Sequence, residues 1–97
     1  MKALGEIQVI PIGVGVSVRR EVMRAHEIIS RAGLKTQLHA YGTNVEGDLD
    51  TILNTIKAVH ETLHAEGVTR LSTTIKIGTR TDKEASVEEK LFEPESR

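Results

Sequence analysis

LKTQLHAYGTNVEG (Leu34–Gly47) lies between two segments of helical periodicity and has a period of two itself. Leu34, Thr36, Leu38 and Ala40 point one way, and Lys35, Gln37, His39 and Tyr41 the other, the pattern of a strand with unlike faces. Gly42 breaks that strand, and TNVEG (Thr43–Gly47) is short enough to be the return arm of a hairpin. A hairpin with a helix on either side calls for an outer strand before the first helix and another after the second.

Both are present. EIQVIPI (Glu6–Ile12) reads as a strand that bulges or ends at Pro11, which cannot donate a ladder hydrogen bond. TRLSTTIKIGT (Thr69–Thr79) places Leu71, Thr73, Ile75 and Ile77 on one side and Ser72, Thr74 and Lys76 on the other. The first helix is expected over Val18–Ala32, capped by Ser17 and stopped by Gly33, with Val18, Val22, Ala25, Ile29 and Ala32 on its apolar side. The second runs from a cap at Asp48 or Asp50 to about Glu66, with a stripe of Leu49, Ile52, Leu53, Ile56, Val59 and Leu63, and Gly67 stops it.

The order is strand, helix, strand, strand, helix, strand. Right-handed crossovers turn it into an α+β fold, ferredoxin-like βαββαβ, in a single domain over residues 1–97. Two helices cover one face of a four-stranded antiparallel sheet. A short C-terminal helix in DKEASVEEKLF (Asp82–Phe92) docks on a neighbour, and EPESR (Glu93–Arg97) frays. The bare face carries Glu6, Gln8, Ile10, His39, Tyr41, Ser72, Thr74 and Lys76, a mixture suited to a ligand pocket or a sheet-to-sheet subunit contact.

Composition narrows the function. The net charge is −1 from 13 basic and 14 acidic residues, without the basic excess that nucleic-acid binding uses. Tyr41 is the one aromatic available to stack a base on the sheet, which argues against an RNA-recognition module. Cysteine is absent, so there is neither a disulfide framework nor a thiolate site. The absence of a long apolar stretch and of a signal-peptide core in MKALGEIQVI leaves no membrane segment and a cytoplasmic location as the expectation.

Two motifs invite chemistry. HETLH (His60–His64) matches the H-E-x-x-H pattern of zinc hydrolases. At about 100° per residue, His60 falls inside the apolar stripe and His64 at its edge, both aimed at the sheet, where a catalytic zinc lacks its open position. No metal site is therefore expected. GVGVSV (Gly13–Val18) joins a strand to a helix, where an anion can meet free N–H groups. It lacks the third glycine of a dinucleotide loop and the lysine of a P-loop, so a tight connection is the simpler reading. The hairpin is more informative. Thr43, Asn44 and Glu46 leave it together, Ser72 and Thr74 line the last strand, and His39 shares the face. They form no nucleophile–base set, but they suit a small nitrogen heterocycle.

Four segments carry a family resemblance: VIPIG (Val9–Gly13), YGTNVEG (Tyr41–Gly47), KAVHE (Lys57–Glu61) and STTIKIGTRTDK (Ser72–Lys83). In order and spacing the chain resembles the small thiamine-binding protein family over nearly its whole length. The resemblance implies non-catalytic binding of thiamine or its hydroxymethyl-pyrimidine half, as a carrier or sensor, with no further cofactor. It also implies self-association through sheet faces to a dimer or tetramer. The family pattern has His60 and Glu61 but commonly an apolar residue in place of His64, which further weakens the zinc reading. It carries Thr43, Glu46 and Thr74 over as pocket residues, the face argument adds His39 and Ser72, and Asn44 comes from the polar set of the hairpin; Asn44 and Tyr41 sit where the family varies, so ligand preference is open. Glu46 would accept from the pyrimidine, and Tyr41 would shelter the cationic thiazolium. The rival classes are a regulatory homo-oligomer binding another metabolite and, remotely, the zinc hydrolase.

Overall fold

The computed structural model describes residues 1–15 and 18–82. Its elements are β1 (Lys2–Ile12), α1 (Arg19–Ser30), β2 (Lys35–His39), β3 (Gly42–Asp48), α2 (Leu49–Ala65) and β4 (Arg70–Thr79). The strands lie in the order β2-β3-β1-β4, each pair antiparallel. This is the expected ferredoxin-like arrangement. Ser17 and the expected C-terminal helix, from Lys83 onward, lie outside the described residues.

Register explains which side chains are buried. Ala3, Ile7 and Val9 of β1 turn toward the helices, and Gly5 and Ile7 of β1 lie opposite Val45 and Thr43 of β3. Against them pack Ala25 and Ile29 from α1 and Ile52, Val59 and Leu63 from α2, all buried. The core is aliphatic, and each fully buried Ile, Val or Leu contributes about 1.5–3 kcal/mol by leaving water.

Several boundaries differ from expectation, that of α1 among them, which spans Arg19–Ser30 with Val18 rather than Ser17 in the N-cap position. β1 starts four residues earlier than the alternation announces, because Gly5 reads as a breaker. It is needed there because a Cβ at Gly5 would come within 2.5 Å of the Lys76 carbonyl oxygen on β4. β1 also runs past Pro11. Pairing with β3 stops at Ile7↔Thr43, while pairing with β4 continues to Ile12↔Arg70. Pro11 thus sits where β1 has a strand on one side only, and its missing N–H disturbs little. Finally, Gly42 opens β3 rather than ending β2: His39 faces Gly42, and Ala40 and Tyr41 make a two-residue turn. A Cβ at Gly42 would meet the Ile7 carbonyl oxygen at 2.6 Å.

The helix ends follow familiar chemistry. Asp48 caps α2: its Oδ2 accepts from Thr51 N–H at 3.3 Å, and its Oδ1 accepts from the Met1 ammonium at 3.2 Å. Gly33 and Gly67 take positive φ after the helices, at 83° and 104°. Arg24 of α1 clamps Glu66 after α2, with Nε 3.1 Å and Nη2 2.9 Å from Oε2, and also pairs with Glu27. The Arg24 hydrogen bond holds the Glu66 carboxyl below its usual range. Asp48 is lowered too, first by the ammonium and then by the Thr51 N–H.

Two outcomes follow. Ile52 is 0% exposed, so Ile52→Ala should cost about 2–5 kcal/mol in urea unfolding. A carboxyl lowered in the folded state contributes stability that is complete above its unfolded pKa and is lost as pH falls through the folded value. Asp48→Asn should therefore lower stability at neutral pH and flatten its decline toward acid, by a small amount because the group is exposed. Urea midpoints at neutral and acid pH measure it.

Candidate functional site

Because β1 outruns β3, the sheet has a notch. Along Gln8–Ile12 the β3 side of β1 has no strand partner among the described residues. The hairpin turn borders the gap and α1 roofs it, enclosing a cavity of about 220 Å³. Its walls come from both sides of the sheet. Ile7, Val9 and Thr43 reach it from the helix side, Gln8 and His39 from the open side, and Val18 and Val22 come from α1 or its approach. The sequence reading missed this cavity and its aliphatic roof. The usable signal was a seven-residue β1 run facing a five-residue return arm.

The structure brings some of the predicted residues together and separates others. His39 and Thr43 both line the notch. Thr43 is 3% exposed and faces α1, with Oγ1 3.4 Å from His26 Nδ1, so it does not share the open face with Asn44 and Glu46. Thr74 and Ser72 are exposed on the open face, opposite Gln8 and Ile10 of β1. Asn44 is one register step away and donates to Gln37 Oε1 at 3.2 Å. Glu46 lies opposite Leu4, four residues from Gln8 and so about 13 Å along the strand. It is 8% exposed, and Lys2 Nζ is 3.3 Å from its Oε2. Tyr41, 77% exposed, stands at the turn rather than within a strand.

His39 has a defined tautomer. Its Nδ1 accepts from the Tyr41 N–H at 3.2 Å, so the neutral ring carries its proton on Nε2. Nε2 is buried and 3.0 Å from a Glu6 carboxylate oxygen, but off the line that a hydrogen bond needs. A donor left this way gains from a better-placed acceptor.

The other motifs resolve as structure. His60 Nε2 lies 2.6 Å from Thr73 Oγ1, joining α2 to β4. His64 Nδ1 donates to the Val68 carbonyl at 2.7 Å, closing the end of α2. Among the described residues no three His, Cys, Asp or Glu side chains converge to hold a metal ion. In the glycine loop, Gly13 and Gly15 take φ of 84° and 105°, which fits a tight connection. A larger groove, about 760 Å³, runs between α1 and the end of α2. Three of its ionic groups, Arg24, Glu27 and Glu66, pair with one another, and it contains none of the predicted site residues.

Comparison with known proteins shows the family and the fold. The family model described as thiamine-binding protein matches residues 5–94. The chain belongs to the thiamine-binding protein family. It is 43% identical over 91 residues to the UPF0045 protein sll0230 of Synechocystis sp., covering 94% of this chain and 75% of that one. It is 41% identical to the UPF0045 protein MJ1052 of Methanocaldococcus jannaschii, over 93% of this chain and 89% of that one. The crystal structure of MJ1052 superposes with a TM-score of 0.87, over 94% of this chain and 93% of that chain. A Thermotoga maritima structure, described as that of a candidate thiamine biosynthesis/salvage protein, superposes with a TM-score of 0.85 at 24% identity, over 97% and 99% of the two chains, and shows the shared fold. Two of the segments that carry the family resemblance, VIPIG and YGTNVEG, meet at the notch through Val9, Ile10, Tyr41, Gly42 and Thr43. Among the described residues no helix is long and apolar enough to cross a membrane.

Because no three candidate ligand side chains converge around HETLH among the described residues, zinc titration followed by calorimetry should give no stoichiometric binding. One equivalent bound with loss on His60→Ala would restore the metal reading.

Proposed function

We propose that this chain binds thiamine, or its hydroxymethyl-pyrimidine half, in the notch, without catalysis, as a carrier or sensor in thiamine supply. The observation that carries this reading is the convergence of two family segments on one small cavity. The description of the Thermotoga maritima relative points the same way.

The chemistry of the notch suits the pyrimidine. A cavity of about 220 Å³ is smaller than the roughly 300–1,000 Å³ of sites for drug-sized ligands. It holds one substituted ring between aliphatic walls. Backbone groups on the unpaired side of β1 offer donors and acceptors in a row, matching an amino group beside a ring nitrogen. Gln8, Thr43 and the Nε2–H of His39 supply side-chain partners. The thiazolium then lies toward the turn, where the Tyr41 ring can contribute about 0.5–2 kcal/mol through its face. Self-association through the open sheet face belongs to the same proposal, with Ile10 and Ile12, 43% and 38% exposed, beside the notch. A cytoplasmic location is part of it as well.

Calorimetry should show thiamine and hydroxymethyl-pyrimidine binding and the isolated thiazole alcohol failing to bind. Mass spectrometry should recover the ligand unchanged. Thr43→Val should weaken affinity about 2- to 10-fold, the value of one hydrogen bond. Glu46→Gln should leave it within about twofold, since Lys2 rather than the notch faces that carboxylate. Absence of heat with both ligands would sink the reading. A large loss from Glu46→Gln alone would move the site to the other end of the sheet.

A further inference from the structure

The two-residue turn that borders the notch is held by a group able to change its charge. His39 Nδ1 accepts from the Tyr41 N–H at 3.2 Å, and an imidazole nitrogen accepts only while it carries no proton. The other ring nitrogen looks toward a carboxylate. β3 lies between β2 and β1, yet His39 Nε2 is 3.0 Å from a Glu6 oxygen on β1. The contact therefore bridges two strand spacings, about 9–10 Å. His39 faces Gly42 on β3, which puts no side chain in its way. Nε2 is buried and lacks an acceptor in line. The ring thus stands between an amide that needs it uncharged and a carboxylate that pairs best with a charged ring.

Other neighbours weigh less on that choice. From α1 and its approach the notch receives Val18, Val22 and Ile29, and from β3 Gly42 and Thr43, all without charge. Lys76 lies opposite Glu6, one strand farther off on β4. Lys35, at the other end of β2, faces Glu46, which also has Lys2 beside it. His26 of α1 reaches Thr43 from the helix side of the sheet.

We propose that His39 is a positioning residue that couples thiamine binding to pH: uncharged, it holds the Ala40–Tyr41 turn against the notch, and protonated, it releases the turn and pairs with Glu6. The binding half of this rests on the notch as the thiamine site, whereas the response of the turn to His39 does not. Donor chemistry sets the direction. A proton on Nδ1 turns the acceptor into a donor that confronts the Tyr41 N–H, so that bond is lost. The charged ring gains a charge-assisted bond to Glu6, which takes the Nε2–H that the notch otherwise offers a ligand. Positive charge at the turn also opposes the thiazolium placed there. All three effects favour binding by the uncharged ring. Histidine ordinarily changes charge between about pH 5 and 8, so affinity is greatest at the upper end and falls toward the lower. Tyr41 is exposed, and water replaces part of the lost bond, which keeps the fall modest.

Fluorescence and calorimetry test the two halves separately. Tyr41 is the single tyrosine and the chain has no tryptophan, so intrinsic emission reports on the turn without any ligand. It should change in one step between about pH 8 and 5.5. Thiamine affinity should fall about 3- to 10-fold over the same interval, the worth of one hydrogen bond and a screened charge. Neither His39→Asn nor His39→Gln titrates there. Both should keep the wild-type circular dichroism spectrum, abolish the step and flatten the affinity profile relative to wild type in the same buffers, a comparison from which the ligand's own titration cancels. His26→Gln should retain the step. Absence of a step in the wild type, a step that survives both His39 substitutions or vanishes in His26→Gln, or affinities that fall in parallel in wild type and variants overturns the proposal. A step that depends on His39, with no thiamine heat at any pH, overturns binding in the notch and establishes the response of the turn alone.

Discussion

The central strand β1 is longer than one of its two neighbours. It pairs with β4 from Ala3 to Ile12 but with β3 only from Lys2 to Ile7. Where both partners are present, the sheet is continuous and α1 and α2 close over Ile7 and Val45 to make the core. Where β3 stops, the same strand leaves an opening bounded by the hairpin turn. Both stability and the proposed site thus come from one mismatch of strand lengths. Two glycines make the close approaches possible: Gly5 admits the backbone of β4, and Gly42 lets the turn fold against Ile7.

Much of this was legible. Period-two alternation in Leu34–Tyr41 and Thr69–Thr79 and three- to four-residue spacing in the helices gave the element order, because each element has one dry side and one wet side. Asp48 and Gly67 marked the ends of α2 through local hydrogen bonding and backbone freedom. The boundaries that went astray share a cause. Gly5, Pro11 and Gly42 are strand breakers by local propensity, and in each case a neighbouring strand decides the outcome. A close carbonyl needs the glycine, or a missing partner excuses the proline. Such facts belong to pairing and cannot be seen along a single stretch.

The candidate site was less legible for a similar reason. The residues of one strand alternate between faces, so Thr43 beside Asn44 must point away from it. Grouping Thr43, Asn44 and Glu46 as one cluster was contrary to that rule. Thr43 returns to the site only because the notch opens the sheet and lets both faces reach one cavity. Glu46 is chemically apt for a pyrimidine but lies about 13 Å along the strand and has Lys2 beside it. HETLH is the converse case: a pattern that matches a zinc site, whose imidazoles are engaged by Thr73 and by the Val68 carbonyl.

The notch presents sheet backbone without a strand beside it among the described residues, and buried amides and carbonyls seek partners. The notch is short, roofed by α1 and walled by the hairpin, so a whole strand cannot enter it. A flat ring with donors and acceptors in line can. In a small aliphatic domain with a limited core of its own, the incomplete parts of the sheet are where binding partners contribute most.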